Sequence, residues 1–517
     1  MLEFIEFPNI KPYKIYKREY QINIFESIKD KNSLVVLPTG LGKTIIAILA
    51  IAYKARYGKV MFLAPTKPLC EQHYASLKEL TTINEIFLVT GANKKEKRKE
   101  MYKKAHVIVA TPQTIANDID VIEWNEFSLV IFDEAHRAVG NYAYVAIAKK
   151  CMEYGVQIIG LTASPGSDYA RLKEVIENLA IENIEVRSEY DRDVKPYVAE
   201  RKIKWLLIPM PENIKKVAKK IDFLIREMAQ ELKNYVRIAP SRLTKKMLIE
   251  LQQKLQKNLS KAGSYYNAIS VVSAIIKLYH LKELLTSQSI DAAKEYVKKL
   301  EMDASKAAMK IRKSVLYREI KRDVLGMQFE NPKMKYVKKI VLQHLKENEN
   351  ARIMIFAEYR DTIDAIVEEL KKEGIKAARF IGQAKHGSNG MSQDKQKEVI
   401  KKFKEGIVNV LVSTSIGEEG IDIPATSLVL FYEPVPSAIR YIQRRGRTAR
   451  AGVPGEVIIL IMKGSRDEAY YWSSKRKEAK MMKNIKRLKE MIQRAEAKKK
   501  KKPKLKGQTK LDAFIFK

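Results

Sequence analysis

Cysteine is almost missing from this chain. Cys70 and Cys151 are the two in 517 residues. They stand far apart, and no disulfide framework or zinc site is readable from them. That scarcity fits a reducing compartment, so a cytoplasmic location is expected. Long apolar runs are also lacking. None reaches the roughly 18 residues that a membrane-spanning helix needs. The first ten residues, MLEFIEFPNI, are acidic and interrupted by Pro8, unlike a signal or transit peptide. Negative charge is scarce as well. Sixty-one acidic residues face 97 lysines and arginines, a net charge of +36. Such an excess points to a polyanionic partner, nucleic acid first. A lysine-rich thermophile surface would raise glutamate alongside lysine, and here the two do not rise together.

Glycine and proline nearly vanish between Pro240 and Pro332, where Gly263 and Gly326 are the exceptions. That gap divides the chain. Before it, short β-rich runs (SLVVLP, KVMFLAP, EIFLVTG, HVIVATP, LVIFDEAH, QIIGLTAS) alternate with amphipathic stretches, and each run ends in a polar or glycine-bearing loop. The pattern predicts a parallel sheet covered by helices over residues 1–210, with ligands gathered at the strand ends. Residues 211–330 carry Leu, Ile, Ala and Lys at helical spacing, with 25 basic and 13 acidic residues, and are expected to form an all-helical insert. From 331 the α/β texture returns in RIMIFAEY, AARFIG, VNVLVSTS, SLVLFYEP and GEVIILI, giving a second parallel-sheet domain over 331–475. Residues 476–517 read as a basic helix running into a disordered lysine-rich tail. At about 150 residues per domain, the length agrees with three to four units.

Three segments carry chemistry. PTGLGKT (38–44) follows the strand SLVVL. Gly40 and Gly42 let a loop close round phosphates with its N–H groups inward, with Thr39 and Leu41 completing it. Lys43 would reach the β- and γ-phosphates of ATP, and Thr44 would hold Mg²⁺. Leu37 stands where the longer form of the pattern has glycine, so an ordinary strand-to-helix turn is the competing reading. DEAH (133–136) ends the apolar strand LVIF. Asp133 would belong to the Mg²⁺ shell and Glu134 would position and deprotonate the attacking water. Taken alone, an acidic helix start has the same sequence. QRRGRTAR (443–450) places Arg447 and Arg450 three apart on one helix face, where both could meet a γ-phosphate across a cleft. An arginine finger is worth about 10³–10⁵ in rate. The competing reading, a basic helix facing DNA, suits Arg444 and Arg445.

In their order these segments resemble superfamily 2 helicases over nearly the whole chain, most closely the archaeal Hef and Fanconi anaemia group M branch. DEAHRAVGNYAY (133–144) and DVKPYV (193–198) look like signatures of that branch. The resemblance implies two RecA-like domains separated by the helical insert and driven by ATP with Mg²⁺. It also implies a role for individual positions. Arg18 and Gln21 look like an adenine-reading element. Thr66 and Lys67 in APTKPLCEQH (64–73), Thr90, Gly91, and Thr111 and Gln113 in ATPQT look like strand-binding loops, as does Thr414 in the second domain. His136, Thr162 and Ser164 resemble couplers between hydrolysis and strand movement. Gly420 and Asp422 resemble a second nucleotide-facing segment, and Gln443 would sit near the γ-phosphate. Singly, Thr66 could cap a helix and Thr111–Pro112 could form a turn.

The insert reads either as a spacer packed on the second domain or as a grip on branched DNA. Lys245, Lys246, Lys254, Lys257 and Lys261 would be its phosphate contacts, with Tyr265 and Tyr266 available for stacking. At the C-terminus, Gln508, Leu511, Phe514 and Ile515 match a peptide that docks on the sliding clamp, PCNA, tethered by the lysine tract. Glu200–Lys202 spells ERK, but Leu206 stands where an XPF-type nuclease would need a metal-binding aspartate, so no nuclease activity is expected. Two rivals remain at this point: a motor of the Dicer-like group acting on double-stranded RNA, and a non-catalytic DNA-binding adaptor for the clamp.

Overall fold

Each strand expected in the first half is apolar at nearly every position, which suits a sheet covered on both faces. A computed structural model of the chain describes residues 3–198, 201–233, 244–257, 265–328, 331–382, 390–414, 423–435 and 455–501. In the first lobe the strands are β1 (Ser33–Val36), β2 (Lys59–Leu63), β3 (Ile86–Val89), β4 (Val107–Ala110), β5 (Phe127–Asp133), β6 (Gln157–Thr162) and β7 (Asn183–Val186). They form one sheet in the order β3-β4-β2-β5-β6-β1-β7, parallel throughout. Alternate residues enter two separate cores. Leu34, Met61, Val130 and Ile158 pack on one face, and Val35, Phe62, Ile131 and Ile159 on the other. The covering helices are α1 (Glu19–Ile28), α2 (Lys43–Lys54), α3 (Lys67–Leu80), α4 (Lys95–Lys104), α5 (Pro112–Asn117), α6 (Ala143–Glu153) and α7 (Tyr169–Asn178). Because every strand runs the same way, the loops after β1, β5 and β6 emerge at one sheet edge.

The second sheet has the order β10-β11-β9-β12-β13-β8, also parallel. Its strands are β8 (Arg201–Ile208), β9 (Ile353–Phe356), β10 (Ala377–Phe380), β11 (Val410–Ser413), β12 (Leu428–Phe431) and β13 (Gly455–Met462). β8 corrects the boundary expected at residue 210. It pairs with β13 over its whole length, so residues 201–208 belong to the second sheet. The strands that neighbour it in sequence gave no sign of this, because its partner lies about 250 residues downstream.

Between β8 and β9 the chain forms α8 (Glu212–Gln230), α9 (Lys245–Lys257), α10 (Tyr265–Ser287), α11 (Ile290–Met302), α12 (Lys306–Lys313) and α13 (Val315–Leu325). Ile214, Val217, Ile221, Leu224 and Met228 recur at helical spacing on α8 and pack with α10 and α13 in a core distinct from those of the sheets. Serines start the later helices. The Ser289, Ser305 and Ser314 hydroxyls accept from backbone N–H groups in the first turns of α11, α12 and α13. The second lobe then adds α14 (Pro332–Glu347), α15 (Arg360–Lys372), α16 (Gln393–Glu405) and α17 (Arg466–Lys501).

The insert is bolted to the second lobe at the C-terminal end of α10. Lys333 of α14 is fully buried, 2.7 Å from Asp467 of α17, and donates to the Ser287 carbonyl at 2.8 Å. Its ammonium lies 4.9 Å from the Tyr432 ring centroid, and the Tyr432 hydroxyl donates to the Gln288 carbonyl. Arg466 reaches Glu283 at 3.2 Å, and Glu283 also pairs with Lys245 at 2.6 Å. Lys245, expected as a DNA contact, is therefore committed to this junction. Lys254 and Tyr266 are exposed. The side chains of Lys246, Lys257 and Tyr265, and all of Lys261, lie outside the described residues.

α17 crosses the boundary expected between 475 and 476 as one continuous helix and packs on the first lobe. Asn484 donates to the Ser167 carbonyl at 3.0 Å, and Arg487 lies over the Tyr169 ring. Among the described residues, no helix is long and apolar enough to cross a membrane.

Removing one partner of the buried pair should leave an uncompensated charge. Lys333→Met is expected to cost about 3–5 kcal/mol, while the double variant K333M/D467L should recover most of it. Denaturant unfolding of the three proteins checks this, and a K333M protein as stable as the parent would refute the assigned role.

Candidate functional site

β1 runs into the loop at residues 37–42, and α2 starts at Lys43. Two glycines make the loop possible, Gly40 at φ +88° and Gly42 at φ +76°. Gly42 has a second constraint: a Cβ there would run into the Gln21 amide. That amide donates to the Leu41 carbonyl at 3.2 Å, and the Tyr20 hydroxyl donates to the same oxygen at 2.7 Å. The element expected to read adenine thus also holds the crest of the loop. Arg18 lies 5.9 Å from the Tyr197 ring centroid, beside Tyr20. The Lys43 ammonium donates to the Leu37 carbonyl at 3.1 Å, folded across the mouth of the loop. Thr39 Oγ1 is buried with no hydrogen-bond partner. Thr44 follows on the first turn of α2.

β5 delivers Asp133 to the same sheet edge. Its Oδ1 accepts from the Glu134 N–H at 3.0 Å, and its Oδ2 accepts from His73 Nε2 at 2.9 Å. The Tyr144 hydroxyl donates to the Asp133 backbone carbonyl at 2.6 Å. Burial alone would raise the Asp133 carboxyl. The His73 hydrogen bond and charge, then the Lys43 charge, more than offset it and hold the carboxyl below its ordinary range. Burial pushes the Tyr144 phenol well up, so it stays a donor.

Glu134 adopts a left-handed backbone, φ +50°, uncommon for a residue with a side chain and costly by about 1–3 kcal/mol. This turn carries Glu134 back over the sheet edge. Its Oε2 lies 3.3 Å from His136 Nδ1 but off the axis of a hydrogen bond, and is otherwise buried without a partner. Gly160 in β6 gives the turn room, since a Cβ there would stand 2.9 Å from the Ala135 methyl.

The three residues expected to couple hydrolysis to movement lie together. His136 Nδ1 is 3.1 Å from Thr162 Oγ1, which accepts from the Ser164 N–H at 3.2 Å. The Thr162 carbonyl accepts from the Leu37 N–H at 3.0 Å, tying this segment to the phosphate loop. The Ser164 hydroxyl donates to Met481 Sδ of α17 at 2.9 Å. This contact comes from the other lobe and was not legible in the sequence.

The expected strand-binding residues divide. Thr66, Lys67, Gly91 and Gln113 are exposed. Thr66 stands at the start of α3, yet its hydroxyl makes no capping bond, so capping does not account for it. Thr90 is buried; its hydroxyl accepts from the Ala92 N–H within its own turn. Thr111 is half-buried, and its hydroxyl pairs with that of Thr114 at 2.8 Å. Thr414 closes β11 through its N–H to Phe380. His73, grouped by sequence with these loops, instead turns inward to Asp133. The spacing Cys70, His73, Leu77 on one face of α3 was the available signal. Burial pushes the Cys70 thiol beside it up to about 12, which leaves it unreactive. Gly420, Asp422, Gln443, Arg447 and Arg450, and the peptide positions Gln508, Leu511, Phe514 and Ile515, lie outside the described residues.

The comparisons agree with this geometry. Residues 18–172 match the DEAD/DEAH box helicase family, and residues 332–452 match the helicase conserved C-terminal domain. The crystal structure of the Pyrococcus furiosus Hef helicase domain superposes with a TM-score of 0.70 at 42% identity, covering 88% of this chain and 98% of that one. A Methanocaldococcus jannaschii protein provisionally named an ATP-dependent RNA helicase is 46% identical over 493 residues, 94% of this chain and 63% of its own. The Schizosaccharomyces pombe ATP-dependent DNA helicase fml1 is 30% identical over 490 residues, 89% of this chain and 58% of its own. The chain therefore spans less than two thirds of these curated relatives. On the match to both helicase domains and to the Hef structure over nearly its full length, the chain belongs to the DEAD/DEAH box superfamily 2 helicases, in the branch of Hef and the Fanconi anaemia group M proteins.

Proposed function

We propose that the chain is an ATP-hydrolysing translocase that works on branched DNA, such as replication forks and Holliday junctions, in fork repair. One observation carries the ATPase reading. Lys43, Thr39, Asp133 and Glu134 converge at one sheet edge, where buried polar atoms of Thr39 and Glu134 are left without hydrogen-bond partners. Buried polar groups are rarely left unpaired, and a hydrated triphosphate would pair them. The residues also suit a magnesium ion: Thr44 and Asp133 would hold it, with Asp133 already ionised. When bound, Mg²⁺ supplies positive charge at the β- and γ-phosphate oxygens.

The chain's own groups then divide the work. The loop amides and Lys43 bind phosphate oxygens, and Lys43 leaves the Leu37 carbonyl to do so. Glu134 orients and deprotonates water. His136, through Thr162, passes the change in that corner to Ser164 and to α17. Arg447 and Arg450 would complete the site from the second lobe and make hydrolysis depend on lobe closure. Gln443, Gly420 and Asp422 would face the same nucleotide.

DNA is favoured by the charge of +36, the basic insert and the relatives named DNA helicases. A motor on RNA remains the second reading, because the Methanocaldococcus jannaschii relative carries an RNA helicase name. The last residues, Gln508 to Ile515, would add a sliding-clamp contact.

Lys43→Ala should abolish hydrolysis while leaving DNA binding close to that of the parent; hydrolysis surviving in K43A would refute the assigned site. Arg447→Ala should slow turnover by about 10³–10⁵. Across single strands, forks, four-way junctions and double-stranded RNA, forks or junctions should stimulate hydrolysis most, and stronger stimulation by the RNA would overturn the DNA reading. Affinity for a fork should fall by about 0.9 log unit per decade of salt for each phosphate contacted. Phe514→Ala should abolish binding to an immobilised sliding clamp without altering hydrolysis.

A further inference from the structure

We propose that His73 is a positioning residue that links strand occupancy at the start of α3 to the carboxylate of Asp133. The inference rests on the ATPase reading above and adds to it a residue on the helix after a strand-binding loop.

An ionised carboxylate can only accept, so the proton in the 2.9 Å contact between His73 Nε2 and Asp133 Oδ2 belongs to the imidazole. The other Asp133 oxygen is held by the N–H of the very next residue, within the same turn. His73 is thus the hydrogen bond by which a separate element fixes the rotation of this carboxylate. Its ring has little freedom. It is 5% exposed and stacks on Phe62 at 4.2 Å between centroids.

α3 presents two faces. The inner one carries Cys70, His73 and Leu77. The outer one carries Lys67, Pro68 and Glu71, which line a cleft of about 380 Å³ opposite Gln393, Gln396 and Ile400 of α16. Glu71 also lies 3.8 Å from Lys397 of α16. A strand held at Thr66 and Lys67, or a shift of the second lobe along this cleft, pushes on a rigid helix whose opposite face grips the metal-site carboxylate. His73 is the point where that push arrives.

A merely structural histidine would be replaced by any side chain that fills its volume. A positioning histidine needs a donor. The test uses the full chain as wild type, H73L and H73Q, with a fluorescent ATP analogue titrated with and without Mg²⁺, and with and without single-stranded DNA. In H73L the Mg²⁺-dependent tightening of nucleotide binding should fall by about tenfold or more, the range expected for losing one charge-assisted hydrogen bond. The influence of single-stranded DNA on half-saturating Mg²⁺ should disappear with it. H73Q, which keeps a donor, should recover most of both. The proposal is overturned if H73L matches wild type in either readout, if single-stranded DNA leaves half-saturating Mg²⁺ unchanged in wild type, or if H73Q falls as far as H73L. A wild-type chain that neither binds the nucleotide nor hydrolyses ATP would sink the ATPase reading itself. Intact wild-type binding that H73L leaves unchanged would sink this inference alone.

Discussion

A carboxylate carried to the end of a buried parallel strand has to be held ionised against the cost of burial. Asp133 meets that requirement through the His73 imidazole, the Glu134 amide and the charge of Lys43. Much of the first lobe is arranged around this balance. The all-parallel sheet puts the phosphate loop, Asp133 and Thr162 at one edge. The left-handed turn at Glu134 brings the next carboxylate over that edge, and Gly160 beneath leaves the space for it. The strain of that turn is tolerable because the flanking residues are buried and tied by hydrogen bonds on both sides.

From that corner, contacts run outward in two directions. One passes through His136, Thr162 and Ser164 to Met481, on a helix that belongs to the second lobe. The other passes through His73 to α3, whose outer face lines the cleft against α16. The insert shares in the first route, because the first turn of α17 carries Asp467, the partner of the buried Lys333 that anchors α10. Insert and second lobe are therefore joined by the buried hydrogen bonds from Lys333 to the Ser287 carbonyl and from Tyr432 to the Gln288 carbonyl, and by the Arg466–Glu283 ion pair. A grip on DNA by the insert would in this way be mechanically continuous with lobe closure.

The places where expectation and structure part company share a cause. β8 reads as a continuation of the first domain, yet its hydrogen-bonding partner is β13, and nothing local to residues 201–208 identifies that strand. The boundary expected at 476 divides what is one helix, because α17 is stabilised by the first lobe it packs on. Lys245 looks like a free cation on a basic helix until Glu283, nearly 40 residues on, is seen beside it. In each case the deciding partner is distant in sequence.

What the amino-acid order determined by itself was whatever depends on neighbours: apolar runs that must be covered on two faces, a glycine-bearing loop after a strand, an acidic pair at a strand end, and helical spacing between Pro240 and Pro332. These are set by backbone sterics and side-chain periodicity over a few residues. Tertiary structure alone decided which way His73 faces, which sheet receives β8, what Met481 touches and where Lys333 finds its counter-ion. Those outcomes depend on desolvation and on pairing across long stretches of chain, and both take shape only when the lobes pack.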